Sequence, residues 1–184
     1  MTDARLEAKL GFDKVRLAIQ DRCSTDYAAA RVEGEEFCTD GAEIHRRHLL
    51  ADEMRLILMF EDSFPTSGYI DALPFLEPIG RNASIDLLSL GKLRTLLDTL
   101  RRALNFFHSI KEGIYPNLQH IASGISAPQE VQRRIDSILD RHGEMKDTAS
   151  DALYSIRRSI KDKEINISKR MNAILRQARQ EGLA

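Results

Sequence analysis

Near the C-terminal end, apolar positions recur at a strict interval. Leu153, Ile160, Ile167 and Ile174 lie seven apart, and Arg157, Glu164, Met171 and Ala178 follow each by four. That interval returns side chains to one face of an α-helix. Ser150 is a good N-cap, Asp151 places negative charge where the helix dipole is positive, and no proline or glycine occurs from Leu153 until Gly182. The pattern predicts a helix over 151–181, a rod of about 45 Å at about 1.5 Å per residue. Only one of the two seam positions is consistently apolar, so the helix is expected to pack part of its length on a partner and leave the rest wet. Ile167 and Ile174 have no obvious mate within the chain, and self-association or crystal contacts are expected to cover them.

The same reading divides the remainder into shorter helices with recognisable stops. Val15, Leu17, Ala18 and Ile19 mark a helix near Asp13–Cys23; Ser24 or Thr25 caps a second through Val32, and Gly34 ends it. Asp40 is the expected cap of Ala42–Phe60, where Ile44, Ala51, Met54 and Leu58 form a stripe that Leu50 and Ile57 widen, predicting burial on more than one side. Pro65, Gly68, Pro74, Pro78 and Gly80 break Ser63–Asn82 into an irregular connector with a short turn of helix at Asp71–Leu76. The clearest periodicity follows: Leu90, Leu93, Leu97, Leu100, Leu104 and Phe107 alternate steps of three and four, with Ser84 as the expected cap, and define a central strut. A shorter helix before Ser123 and one over Pro128–Leu139 lead to a turn at Arg141-His142-Gly143, where Gly143 is the expected left-handed stop and Asp140 or Asp147 ties the turn to backbone amides.

Composition supports this all-α picture. The chain has 184 residues, 42% hydrophobic and 30% charged, enough for one sizeable core. No run of eighteen apolar residues occurs and the first residues lack the apolar middle of a signal peptide, which predicts a soluble, cytoplasmic protein. Two cysteines, Cys23 and Cys38, are too few for a disulfide framework. The net charge of −1 hides a gradient: residues 1–83 sum to −6, residues 84–150 to +1 and residues 151–184 to +4. A positive final helix is drawn to phosphate backbones, although lysine and arginine are also ordinary solvated positions on any exposed helix. Arg157, Arg158, Lys161, Lys169 and Arg170 are the nucleic-acid contact candidates, and Leu153 and Ile156 are the expected anchor of the helix.

Candidate chemistry is sparse. A P-loop needs Gly-x-x-x-x-Gly-Lys followed by Ser or Thr; the one Gly-Lys pair, Gly91-Lys92, precedes Leu93 and has Asp86 where the first glycine belongs. Cys23, Cys38, His45 and His48 fit no zinc-finger spacing. Ser109 beside His108 points away from it on a helix. The acidic groups at Glu33, Glu35 and Glu36 and at Asp52 and Glu53 read as solvated charge, Phe107 reads as core, and Arg101 and Arg102 are at salt-bridging distance from Asp98 along a helix. No catalytic, cofactor-binding or metal-ligating residue is assigned.

The run from Asp140 through Gly143-Glu144-Met145-Lys146-Asp147, Ala149-Ser150, Leu153 and Ile156-Arg157-Arg158 resembles the junction between core and lever helix in the MutS family, closest to its type-two branch. Leu10-Gly11-Phe12-Asp13-Lys14-Val15-Arg16 resembles that branch's opening, and Met171-Asn172-Ala173-Ile174-Leu175-Arg176 a later part of the lever. The resemblance implies a compact helical core over 1–150, with an irregular connector at about 61–83, and the start of a truncated, projecting lever over 151–184. It implies a non-catalytic part of an ATP-dependent endonuclease. The parent's ATPase, with ATP and magnesium, and its small MutS-related (Smr) nuclease domain would lie beyond this stretch. The parent would be a homodimer that clamps branched DNA or stalled ribosomes, suppressing recombination or serving ribosome quality control, with no membrane role. Two alternatives stay open on the residues alone: a stand-alone helical protein-interaction module, and a small DNA-binding protein that uses the basic helix directly.

Overall fold

The computed structural model describes residues 4–77, 80 and 84–182. Pro78 and Asn82 of the connector, the first three residues and the last two residues lie outside the described residues. The regular elements are α1 (Ala4–Leu10), α2 (Phe12–Gln20), α3 (Asp26–Glu33), α4 (Gly41–Phe60), α5 (Leu73–Leu76), α6 (Leu87–Ser109), α7 (Pro116–Ser123), α8 (Gln129–Ile138) and α9 (Asp151–Gln180). The fold is all-α, and the only β feature among the described residues is an isolated bridge between Leu139 and Met145. No helix among them is long and apolar enough to cross a membrane.

The chain forms two compact units, residues 1–132 and 133–184. The division falls inside α8, earlier than the boundary at 150 that the sequence suggests. Its physical reason is that the 139–149 turn is hydrogen-bonded to the end of α8 and to the beginning of α9, so these three pieces cohere: Lys146 N–H donates to the Ile138 carbonyl (2.8 Å) and Arg157 to the Met145 carbonyl (3.2 Å).

In the first unit, α1 was not legible as a separate helix. Gly11 breaks it from α2 by adopting φ +71°, a left-handed conformation that L side chains resist. Arg16 of α2 then gathers the N-terminal helices. Its guanidinium donates to the carbonyls of Val32, Glu33 (3.3 Å) and Glu35 (3.0 Å) at the C-terminal end of α3, pairs with Glu7 of α1 (3.0 Å) and lies 5.2 Å from the Phe12 ring centroid. A cation at the carbonyl end of a helix satisfies groups that have no partner within it. Thr25 is the cap of α3, accepting from Ala28 N–H at 3.1 Å.

The core of this unit is built by α4, α6 and α7. Ile57, Phe64, Phe106 and Tyr115 are buried together, with Met54, Ala103, Phe107 and Leu118 packed around them. Phe64, Phe106 and Phe107 meet edge to face, with centroids 5.1–5.9 Å apart. The periodic row of α6 is buried at Leu97 and Leu104. Its cap is Asp86 rather than Ser84: the carboxylate accepts from Ser89 N–H (2.9 Å) and Ser89 Oγ–H (2.7 Å), and these bonds hold the carboxyl below its usual range. The broad burial expected of α4 is not found. Only Glu53 and Ile57 are buried on it, while Leu58, Met59 and Phe60 are 59%, 60% and 69% exposed.

Glu53 also corrects its reading as solvated charge. It is 8% exposed, and its carboxylate accepts from Asn117 N–H (3.1 Å), Asn117 Nδ2 (2.6 Å) and Leu118 N–H (2.8 Å) in the first turn of α7. Pro116 occupies the position of α7 where a missing N–H costs nothing, and Glu53 satisfies the two amides that follow. Beside this joint, the Tyr115 hydroxyl donates to Glu61 (3.1 Å), and burial together with that carboxylate pushes the phenol up. The connector is fixed by Thr99, fully buried, whose hydroxyl donates to the Ser67 carbonyl at 3.4 Å. Gly68 has φ +86°, and a Cβ there would stand 2.3 Å from Thr99 Oγ1.

Two stability measurements follow from these joints. Glu53→Ala should lower unfolding stability by about 2–4 kcal/mol in urea titrations, because buried amide donors lose a charged acceptor; a loss below about 0.5 kcal/mol, the size of an ordinary surface change, would contradict the capping role. Gly68→Ala should cost about 2 kcal/mol or more from φ strain and the Thr99 collision. Combining it with Thr99→Ala should recover the steric part, giving a non-additive double-mutant cycle.

Candidate nucleic-acid interface

The second unit is organised around the turn that launches α9. Asp140 N–H donates to the Glu144 carbonyl (2.8 Å) and Gly143 N–H to the Asp140 carbonyl (3.3 Å), closing a tight reversal in which Gly143 adopts φ +82°. The Asp140 carboxylate accepts from His142 N–H (2.7 Å) and Glu144 N–H (2.9 Å), so Asp140, and not Asp147, ties the turn to its amides. These backbone donors, Glu144 first, keep the Asp140 carboxyl below the ordinary range. Lys146 adds a bond from its ammonium to the Asp136 carbonyl at 2.6 Å.

A single 3-10 turn, Asp147–Ala149, then delivers the chain to Ser150 in extended conformation, whose Oγ accepts from Leu153 N–H at 3.2 Å and starts α9. Asp147 pairs with Arg157, two turns into α9, and the same guanidinium reaches the Met145 carbonyl. Arg157 is therefore the side chain that binds the helix to its turn. Of the two residues expected to anchor the helix, Leu153 is half-buried and Ile156 is 57% exposed.

The five cations singled out from the sequence separate accordingly. Arg157 is engaged at the root. Arg158, Lys161, Lys169 and Arg170 are exposed and form no ion pair among the described residues. The apolar row is exposed as well: Ile160, Ile167, Met171 and Ile174 are 52–65% accessible. Sequence spacing could not reveal the Arg157–Asp147 pair, since Asp147 precedes the helix and shares no helical register with it.

Other candidates resolve into structural roles. Gly91-Lys92 lies within α6, whose amides are engaged along the helix, so it builds no phosphate cradle. Arg101 and Arg102 pair with Asp98 at 2.6 and 3.1 Å. The Ser109 hydroxyl donates to the Phe106 carbonyl at 2.8 Å, away from any base. Among the described residues no group of three or more His, Cys, Asp or Glu is arranged to hold a metal ion.

The lowered Asp140 pKa gives the turn an acid sensitivity with a definite sign. Its contribution to stability is complete above the unfolded carboxyl value of about 3.9 and is lost as pH falls through the lower folded value. Amide protection at His142 and Glu144, measured by hydrogen exchange, should therefore collapse only below about pH 4. Arg157→Ala should instead reduce protection in the first two turns of α9 at neutral pH; unchanged protection there would contradict its role at the root.

No protein-family model matches the chain. Among characterised proteins it is similar to endonuclease MutS2 of Listeria innocua serovar 6a, 24% identical over 176 residues, covering 95% of this chain and 22% of that protein. It is likewise similar to endonuclease MutS2 of Geobacillus sp. (strain WCH70), 28% identical over 91% of this chain and 22% of the relative, and to that of Clostridium botulinum (strain Alaska E43 / Type E3), 26% identical over 91% and 21%. The chain thus spans about a fifth of the length of these relatives. An all-helical chain with a tight turn and a long final helix is thus similar, over nearly all of its length, to part of the proteins named endonuclease MutS2.

Proposed function

We propose that this chain works as a non-catalytic core-and-lever element of a MutS2-type machine in the cytoplasm. Its first unit is a packed base and α9 is the start of a stiff arm. In that reading, ATP-driven changes in a dimeric ATPase pass along the arm to a clamp that closes on branched DNA or on stalled ribosomes. ATP and magnesium belong to the ATPase, and strand cleavage to the small MutS-related nuclease domain of the parent. Suppression of recombination and ribosome rescue are the two duties such a clamp would serve.

One observation carries this reading: thirty helical residues leave a hydrogen-bonded turn to which Arg157 ties them through Asp147 and the Met145 carbonyl. A helix transmits angular change over tens of ångströms only when its base is fixed. The similarity to proteins named endonuclease MutS2 supports the assignment to that kind of machine. The exposed row of Ile160, Ile167 and Ile174 favours a second reading, in which α9 is the docking element of a protein-interaction module.

Stiffness is measurable in the chain itself. Spin labels at Ser155 and Ala173, about 27 Å apart along the axis, should give one narrow distance distribution. A second pair at Ser137 and Asn166 reports on the root: narrow in the unmodified protein, broadened by Arg157→Ala. A broad distribution for the first pair, or insensitivity of the second, would refute a rooted arm.

A further inference from the structure

The cations of α9 are not scattered. At about 100° per residue, Arg158, Lys161, Lys169, Arg176 and Arg179 fall within an arc of about 80° along one side of the helix, all exposed. Tyr154, Ile165 and Asn172 complete that file at spacings of three and four residues, and from Tyr154 to Arg179 it contains no acidic residue. Of the acids of the helix, Glu164 is in the apolar row, Asp162 borders the file about 40° from Arg158 and four residues after it, and Asp151 lies on the line of the file one turn before Tyr154. Lys163 and Arg170 border the opposite edge of that row, about 100–120° from the nearest side of the file. None of the five file cations forms an ion pair among the described residues, and with Asp162 at its border the file keeps a net positive charge over about 32 Å, close to one turn of a double helix.

We propose that this file, Arg158–Lys161–Lys169–Arg176–Arg179, is a sequence-independent contact for the phosphate backbone of a double-stranded nucleic acid. It rests on the reading of α9 as a rooted arm and sharpens it. Arg157 is excluded because it is engaged at the root, Arg170 because it lies on the other edge, and Arg176 and Arg179 enter in their place. Lysine and arginine side chains on an exposed helix reach phosphates without reading bases, which suits a contact set by shape and charge. The apolar row lies on a different face, so protein packing there and phosphate contact here do not compete for the same side chains.

Fluorescence anisotropy of the whole chain with labelled DNA and RNA duplexes of about 20 base pairs, two helical turns, tests the assignment. Five phosphate contacts predict a log K against log salt slope of about −4.5. Replacing all five file residues by Gln, a good helix former, should bring the slope close to zero, with circular dichroism reporting the helix. Lys163→Gln with Arg170→Gln should change the slope by no more than about 1. Asn172→Arg adds a cation within the file and should steepen the slope by about 1, an arm that needs no loss of function. The tighter of the two duplexes identifies the source of the phosphates. Equal effects from the two faces, no salt-dependent binding by the unmodified chain, no response to Asn172→Arg, or equally tight binding of polyglutamate would overturn the proposal. Narrow spin-label distances without duplex binding would remove the file and leave the arm, whereas duplex binding with broad distances would remove the arm.

Discussion

A buried carboxylate is tolerated in a helical core only when it is surrounded by donors, and Glu53 meets that condition at the head of α7. Three N–H groups converge on its two oxygens. The bond network fixes where α7 begins relative to α4, and that placement brings Tyr115 and Leu118 against Ile57 and Phe106. Charge at the start of a helix and apolar packing along its side thus reinforce each other. The few fully buried side chains of this unit lie close to such joints: Thr99 holds the connector through Ser67, and Ile57 is in the cluster next to Glu53's helix turn.

The second unit uses the same device at a reversal rather than at a helix contact. Asp140 collects the amides of the turn, Lys146 closes on the end of α8, and Arg157 reaches back from α9. Two residues with left-handed or extended backbone, Gly143 and Ser150, set the change of direction, and the side-chain bonds hold it. A long helix with few buried residues draws little stability from packing along its own length, so its orientation depends on this small set of polar bonds at one end.

What was legible in the sequence was local. The seven-residue row and the Ser150 cap located α9, Gly143 marked the reversal, Thr25 and Asp40 were legible as caps, and the steps of three and four located α6. These signals lie within a few residues of the structure they specify. Glu53 was misread because its partner Asn117 is 64 residues away, and nothing in the run Asp52-Glu53 distinguishes the solvated carboxylate from the buried one. The width of the apolar stripe on α4 overstated its burial, since hydrophobic content gives the sides of a helix able to pack and not those that do. Ile156 shares the register of the apolar row, whereas the bonds between the helix and its turn come from Arg157 and a residue outside any helical period, which spacing does not signal. The division of the chain inside α8 depends on the turn adhering to both flanking helices, which no composition change announces.

The two lengthwise patterns on α9 have different pitches. A strict seven-residue repeat averages 3.5 residues per turn and slips by about 20° per heptad on a straight helix, whereas the cationic file, with its occasional extra step, runs almost parallel to the axis. Any helix that zips along the isoleucine row is thereby obliged to coil α9 in a left-handed sense. That winding would swing the far end of the file around the axis by tens of degrees. Coverage of the greasy side of this rod therefore doubles as a torsional control over the direction in which its charged side looks.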